Sequence, residues 1–126
     1  MLDIYGHINN AVYYAYMDTV INNWLISEGG LDIHDGGVIG LCVESHCEFR
    51  APAAYPERLR AGLRVGRLGR SSVRYEVGVF RDGTLLAEGH FVHVFVDRAT
   101  RRPTPIEGAL RRSLERLVTA AAERPD

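Results

Sequence analysis

Apolar residues near the start of the chain recur at every fourth position and form two adjacent rows. The rows are Ile8, Val12, Tyr16, Val20 and Trp24, and Tyr13, Met17, Ile21 and Leu25. A step of four is the period of an α-helix. We therefore predict a helix from Asn9 to Glu28, buried around most of its circumference, that ends at Gly29-Gly30.

After this helix the apolar period changes from four to two, which predicts β-strands. The first strand alternates Val43, Ser45, Cys47 and Phe49 with Glu44, His46, Glu48 and Arg50. Three more strands follow at 59–65, 73–79 and 85–96, and Asp82-Gly83 is a strong hairpin turn signal between the last two. A charged helix from Ile106 to Ala122 is expected to cover the sheet. This order predicts an α+β fold with an antiparallel sheet.

Length and charge exclude several classes of protein. With 126 residues the chain is expected to be a single domain, 1–126. A net charge of -1 argues against binding to nucleic acid or to an anionic membrane. All 15 basic residues are arginine, which excludes a Schiff-base lysine and a phosphate-loop lysine. There is no signal peptide or apolar run of membrane-spanning length, so we predict a cytoplasmic protein.

Cysteine and histidine positions give no sign of a disulfide or a metal site. Cys42 and Cys47 are an odd number of residues apart on a strand, so we expect them on opposite faces. Glu44, His46 and Glu48 share one face and are either metal ligands or, more simply, a solvated surface. His90 and His93 should face opposite sides, each with one cross-strand polar contact. We predict neither a metal ion nor a cofactor.

The residues from Asp3 to Asn10 bring together the groups needed for acyl transfer. Gly6 allows a turn that returns Asp3 to the start of the helix, where unpaired amides carry a partial positive charge. Such amides stabilise an oxyanion, while the carboxylate attacks a carbonyl or activates a water molecule. A single carboxylate suits a thioester, because a thiolate with a pKa of about 8.5 leaves without a strong general acid.

The stretch Asp3-Ile4-Tyr5-Gly6-His7-Ile8-Asn9-Asn10-Ala11-Val12-Tyr13 closely resembles the D-x-x-G-H-V-N-N-x-x-Y signature of hotdog-fold acyl-CoA thioesterases of the 4-hydroxybenzoyl-CoA thioesterase type. Weaker similarity continues through residues 48–52, 67–72 and 89–97. The resemblance implies a sheet wrapped around the long helix and hydrolysis of an acyl-CoA. It also implies a dimer that shares its active sites, or a dimer of such dimers.

Residue roles follow from the same resemblance. Asp3 would be the nucleophile or general base, and the backbone N–H of Asn10 would hold the oxyanion. His7 would orient water or the thioester, which is implied by similarity to plant acyl-carrier-protein thioesterases with a D-x-x-x-H-V-N-N element, although these have Asn where this chain has Tyr5. Independently of the resemblance, Tyr13 or Tyr16 on the predicted helix would either shape an acyl pocket or simply fill the core. The loop that carries Arg67, Gly69, Arg70, Ser71 and Ser72 would lie near the nucleotide of coenzyme A, because free amides and guanidinium groups bind phosphates. A solvated turn would have the same residues.

The sequence leaves two questions open, namely where the natural chain begins and whether it is an enzyme. The family has a short strand ahead of the aspartate, on the edge of the sheet, and we expect that the full gene encodes this strand as about ten further residues. Fold alone does not fix activity, so the chain is either a thioesterase or a non-catalytic acyl-CoA-binding hotdog module. The presence of Asp3 favours the enzyme.

Overall fold

The computed structural model describes residues 10–28, 37–51 and 59–122, and describes side chains for 13–28, 37–51 and 59–118. The elements in chain order are α1 (Asn10–Ser27), β1 (Val38–Phe49), β2 (Arg60–Leu68), β3 (Ser72–Arg81), β4 (Thr84–Asp97) and α2 (Gly108–Ala122). The strands form one antiparallel sheet in the order β1-β4-β3-β2. The predicted α+β class, with an antiparallel sheet and one long helix, is confirmed.

The core lies between α1 and the sheet. One row of the helix is almost completely buried and consists of Tyr13, Met17, Ile21 and Leu25. It packs against alternate side chains of β3 and β4, which include Val73, Tyr75, Val77, Val79, Phe91 and Phe95. The second apolar row is more open, since Tyr16 is 36% exposed and Val20 and Trp24 are half-buried. We predicted that the helix is buried around most of its circumference. This is wrong within a single chain, because the sheet covers only one side of α1.

A β-bulge at Val43 changes the expected faces of β1. Cys42 lies opposite His93 and Glu44 lies opposite Val92, so Val43 is the extra residue between them. The bulge puts Cys42 and Cys47 on the same face of the sheet, which corrects the prediction of opposite faces. Both are free thiols. The strand is mostly exposed, with Val43 at 60%, because β1 is an edge of the described sheet.

The C-terminal helix α2 packs on the same side of the sheet as α1. Its Leu114 is fully buried in the core, and the Ser113 hydroxyl donates a hydrogen bond of 3.0 Å to the Glu28 carbonyl after α1. This position confirms that the helix covers the sheet. Among the described residues, neither helix is long and apolar enough to span a membrane.

The β3–β4 hairpin turns at the predicted residues. Asp82 and Gly83 have φ angles of 48° and 85°. Positive φ at both central residues is the property that makes Asp-Gly favourable in such a turn. The hairpin sets β3 beside β4 and so brings Tyr75 next to Phe91 in the core.

Candidate active site

The start of α1 is the part of the predicted site in which backbone amides would hold the oxyanion. Asn10 is the first residue of this 18-residue helix. The first N–H groups of a helix have no partner within it and form the positive end of the helix dipole. The start of α1 can therefore stabilise a negative oxygen. Asp3 and His7 lie outside the described residues, so their roles remain predictions.

Aromatic rings surround the first turns of α1. Tyr13 lies 5.5 Å from Phe49, between ring centroids, and Tyr14 lies 6.5 Å from Phe49 and 6.2 Å from Phe91. Helical side chains tilt toward the N-terminus, which directs both tyrosine rings toward the start of the helix. Phe49 is 37% exposed, whereas Tyr13 is buried. These rings form an apolar wall beside the helix start, with one ring still open to a ligand.

Cys47 lies below this aromatic wall and is a thiol rather than a reactive thiolate. Its sulfur is 3.6 Å from the Met17 sulfur, and its side chain is hydrogen-bonded to Tyr14. Burial raises the pKa of Cys47, and the bond to Tyr14 only partly opposes this effect. Burial also raises the pKa of Cys42. Neither cysteine therefore has the lowered pKa of an activated nucleophile.

The predicted coenzyme A loop is held firmly by its backbone. The carbonyls of Arg70 and Ser71 accept hydrogen bonds of 2.8 Å from the N–H groups of Ile106 and Phe95. Gly69 accepts a 3.3 Å bond from the Arg111 guanidinium, and its own N–H donates to the Ser72 carbonyl at 2.8 Å. The side chains of Arg67 and Arg70 are exposed. The loop thus presents two guanidinium groups from a fixed backbone.

Within one chain, the loop and the start of α1 lie at opposite ends of the molecule. Tyr13 contacts Phe49 at the end of β1, which places the start of α1 there. The other end of α1 contacts Ser113 of α2, and Arg111 of the same helix binds the loop. An 18-residue helix is about 27 Å long, and this length separates the two groups. Among the described residues, the start of α1 and the predicted coenzyme A loop therefore do not meet in a single chain.

A buried pair of polar aromatic residues was not recognised from the sequence. The rings of His93 and Tyr75 meet edge to face at 5.0 Å. Among the described residues, neither the imidazole nitrogens nor the Tyr75 hydroxyl has a hydrogen-bond partner. The cross-strand polar contact expected for His93 is therefore wrong, whereas the one expected for His90 is present as a 2.9 Å contact with Glu44. The pairing of β3 with β4 sets Tyr75 beside His93, and the bulge in β1 sets Glu44 within reach of His90, neither of which residue spacing reveals.

Burial of His93 affects its protonation. The imidazole is 3% exposed, and burial lowers its pKa, while the negative charge of Asp18 opposes the change. The imidazole is consequently held neutral. His90 and His93 lie on opposite faces of β4, as their spacing predicts. In the described parts of the chain, no group of three or more possible ligands is arranged to hold a metal ion.

Comparison with known proteins identifies the fold and the family. The crystal structure of the PA5185 protein from Pseudomonas aeruginosa strain PAO1 is 53% identical, covers 92% of this chain and 82% of its own, and has a TM-score of 0.87. SAV2348 from Staphylococcus aureus, solved in complex with CoA, is 15% identical, with coverage of 99% and 79% and a TM-score of 0.88. The long helix against an antiparallel sheet is thus the hotdog fold.

The model of the thioesterase-like superfamily matches residues 1–114, and the chain belongs to this family. The long-chain acyl-CoA thioesterase FadM of Escherichia coli (strain K12) is 26% identical over an alignment that covers 93% of this chain and 91% of FadM. These matches confirm the predicted fold, the resemblance to hotdog thioesterases and the enzyme class.

Proposed function

We propose that this protein hydrolyses an acyl-CoA thioester to the free acid and the thiol. The observation that carries the proposal is the start of α1, whose first amides have no partner within the helix and lie beside a partly open aromatic wall. The amides suit an oxyanion, and the wall suits an apolar acyl group. Membership of the thioesterase-like superfamily and the similarity to FadM support the same reaction.

Asp3 supplies the carboxylate in this proposal. It either attacks the thioester carbonyl, with loss of the thiolate and later hydrolysis of the resulting anhydride, or removes a proton from the attacking water. In both routes the carbonyl oxygen becomes negative and is held by the backbone N–H of Asn10. His7 orients the water or the thioester. The thiolate leaves readily because its conjugate acid has a pKa of about 8.5.

A second copy of the chain is part of the proposed site. β1 is an exposed edge of the described sheet and carries the exposed apolar side chains of Leu41, Val43 and Phe49. Pairing of two β1 strands about a two-fold axis would make one continuous sheet and remove this edge. The axis would reverse the second copy, so that its Arg67–Ser72 loop shares an end of the joined sheet with the first copy's helix start. Arg67 and Arg70 would then bind the phosphates of coenzyme A.

Replacement of the proposed catalytic carboxylate tests the reaction. We expect Asp3→Asn to lower kcat for thiol release from acyl-CoA by about 10²- to 10⁴-fold, since the amide can neither attack nor accept a proton. Asp82→Asn, in the exposed β3–β4 turn, is the matched control and should retain full activity. Turnover by Asp3→Asn equal to that of the parent would refute the assigned role.

The same assay decides between the enzyme and a non-catalytic acyl-CoA-binding module. A module would bind acyl-CoA in a calorimetric titration but would release no thiol from short, medium, long or aryl thioesters. The thioesterase would release thiol from at least one of them. The arrangement of helix amides and aromatic rings alone is compatible with binding, so the catalytic proposal depends on Asp3.

A further inference from the structure

The inner face of β1, on the side of α1, carries small side chains over most of its length. Directly opposite residues in an antiparallel sheet share a face, so the inward residues of β4 identify these positions on β1. From Phe49 toward the other end of the strand they are Cys47, Ser45, Cys42 and Gly40. Cys42 and Ser45 are exposed, and Cys47 is half-buried. We call this row the small-residue trough.

The trough begins at the aromatic wall beside the start of α1. Phe49, the partly exposed ring of that wall, is two residues from Cys47 on the same face of β1. Met17 of α1 lies across the trough, with its sulfur 3.6 Å from the Cys47 sulfur. Methionine is unbranched and adapts to its neighbours, so this side chain can give way to a ligand. An acyl group that enters at the wall is therefore directed along β1 beneath α1.

The trough ends at a buried imidazole. A side chain at Gly40 would come within 3.6 Å of His93 Nδ1 and 3.3 Å of the Phe95 ring, so the glycine leaves space beside Nδ1. His93 is 3% exposed, and its ring meets that of Tyr75 at 5.0 Å. Within the described parts of the chain, neither imidazole nitrogen nor the Tyr75 hydroxyl has a hydrogen-bond partner. Buried polar groups in proteins are nearly always paired, so these atoms indicate a ligand.

The chemistry of this end of the trough favours an uncharged polar group. Burial lowers the pKa of His93 and raises that of Tyr75, so both side chains are neutral near pH 7. A neutral imidazole has one donor and one acceptor nitrogen, and a phenol hydroxyl also donates and accepts. A ligand hydroxyl satisfies both kinds of atom. A carboxylate only accepts, and the negative charge of Asp18, which acts on His93, would oppose it.

We propose that His93, with Tyr75 beside it, binds a hydroxyl group at the far end of the acyl chain, so that the preferred substrate is a medium-chain ω-hydroxyacyl-CoA. This inference rests on the proposed function and names its substrate. Asp18, which acts on His93, is eight residues after Asn10, or about 12 Å along α1. An extended chain spans about 1.2 Å per bond, so an oxygen about ten bonds from the thioester carbon reaches this level.

Thiol release from three acyl-CoA substrates of equal chain length tests the proposal: decanoyl-CoA, 3-hydroxydecanoyl-CoA and 10-hydroxydecanoyl-CoA. The parent protein should show a kcat/KM about fivefold or more higher for 10-hydroxydecanoyl-CoA than for decanoyl-CoA. The gain should lie in KM, because a contact remote from the reacting carbon is the same in the ground state and the transition state. The hydroxyl of 3-hydroxydecanoyl-CoA is close to the thioester and should give no such gain.

Two substitutions locate the effect at the end of the trough. His93→Phe removes both nitrogens and should reduce the ratio of the two kcat/KM values to one or less. Gly40→Ala fills the space beside Nδ1 and should lower the ratio without removing the imidazole. His46→Gln, an exposed histidine on the opposite face of the sheet, is the matched control and should retain the parent ratio. Circular dichroism checks that each variant is folded.

A ratio of one in the parent, or a parent ratio that persists in folded His93→Phe, overturns the proposal. Failure of the proposed function is seen separately, as absence of thiol release from all three substrates. Calorimetric titration with the same substrates then replaces the kinetic measurement. The parent should bind 10-hydroxydecanoyl-CoA about fivefold or more tighter than decanoyl-CoA, and His93→Phe should bind the two equally. Equal binding by the parent overturns the role of His93 whether or not the protein is an enzyme.

Discussion

At the residue scale, the buried His93 and Tyr75 pair is the most unusual feature of the core. An unpaired buried polar group generally costs about 1–3 kcal/mol, so an apolar residue would be more stable at either position. Burial raises the pKa of Tyr75 and lowers that of His93, and both groups are therefore neutral. Among the described residues, the titratable neighbours of His93 include Asp18, Cys42 and Tyr75.

Mild acid should destabilise the fold through His93. Unfolded histidine has a pKa of about 6.5, and the folded pKa is lower, so the unfolded chain binds more protons between the two values. Neutral His93 makes its full contribution to the free energy of unfolding above about pH 6.5. This contribution is lost as the pH falls from the unfolded pKa to the lower, folded pKa. We expect His93→Phe to reduce the loss of unfolding free energy between pH 7.5 and pH 5.5, measured by urea titration.

Thr84→Ala, in the exposed hairpin, provides the control for this measurement. It removes no titratable group and should keep the pH dependence of the parent. If the unfolding free energy of His93→Phe changes as much as that of the parent over this pH range, His93 is not the cause of the acid destabilisation.

At the element scale, packing rather than helix propensity holds α2 in place. The helix covers the sheet beside α1 through Leu114, while Arg111 and Ser113 bind the loop after β2 and the end of α1. Leu110, Leu117 and Val118 are only partly buried against the same core. One fully buried side chain therefore anchors the element.

Truncation of that anchor should be costly. Leu114→Ala should lower the free energy of unfolding by about 2–5 kcal/mol, because a fully buried leucine leaves a cavity that neighbours fill only in part. Arg112→Ala, two residues earlier and exposed, should change it by no more than about 0.5 kcal/mol. Equal effects of the two changes in denaturant titration would show that Leu114 does not anchor the helix.

At the scale of the whole molecule, we propose that a second copy of the chain completes the site. The start of α1 and the Arg67–Ser72 loop are separated by the length of α1, and β1 has an open edge at which a second copy can pair. The proposed activity and the proposed pairing are therefore linked. A change at the β1 edge should affect both properties together.

Val43→Lys provides this test, because a lysine on an edge strand opposes pairing with another strand. We expect the molar mass of the assembly, measured by sedimentation velocity, to fall by half. We also expect kcat/KM for acyl-CoA to fall at least tenfold, chiefly through weaker coenzyme A binding. Thr84→Lys, in the exposed hairpin, should preserve both quantities. Full activity in a Val43→Lys protein of reduced mass would exclude a shared site.

The sequence by itself determined the elements and the family. A step of four in the apolar residues located α1 within one residue at each end, and Asp82-Gly83 located the β3–β4 turn. These features depend on neighbouring residues and backbone preferences, which a single sequence contains. The motif from Asp3 to Tyr13 indicated a thioesterase for the same reason, since the residues that resemble the family signature are close together in the chain.

Only the tertiary structure decided which surfaces are buried and which site residues meet. The bulge at Val43 reversed the expected relation of Cys42 and Cys47, and the single covering sheet left one apolar row of α1 open. Strand order brought Tyr75 beside His93 and put the loop at the far end of α1 from Asn10. Register, bulges and strand order arise from contacts between residues distant in the chain, and local periodicity contains no information about them.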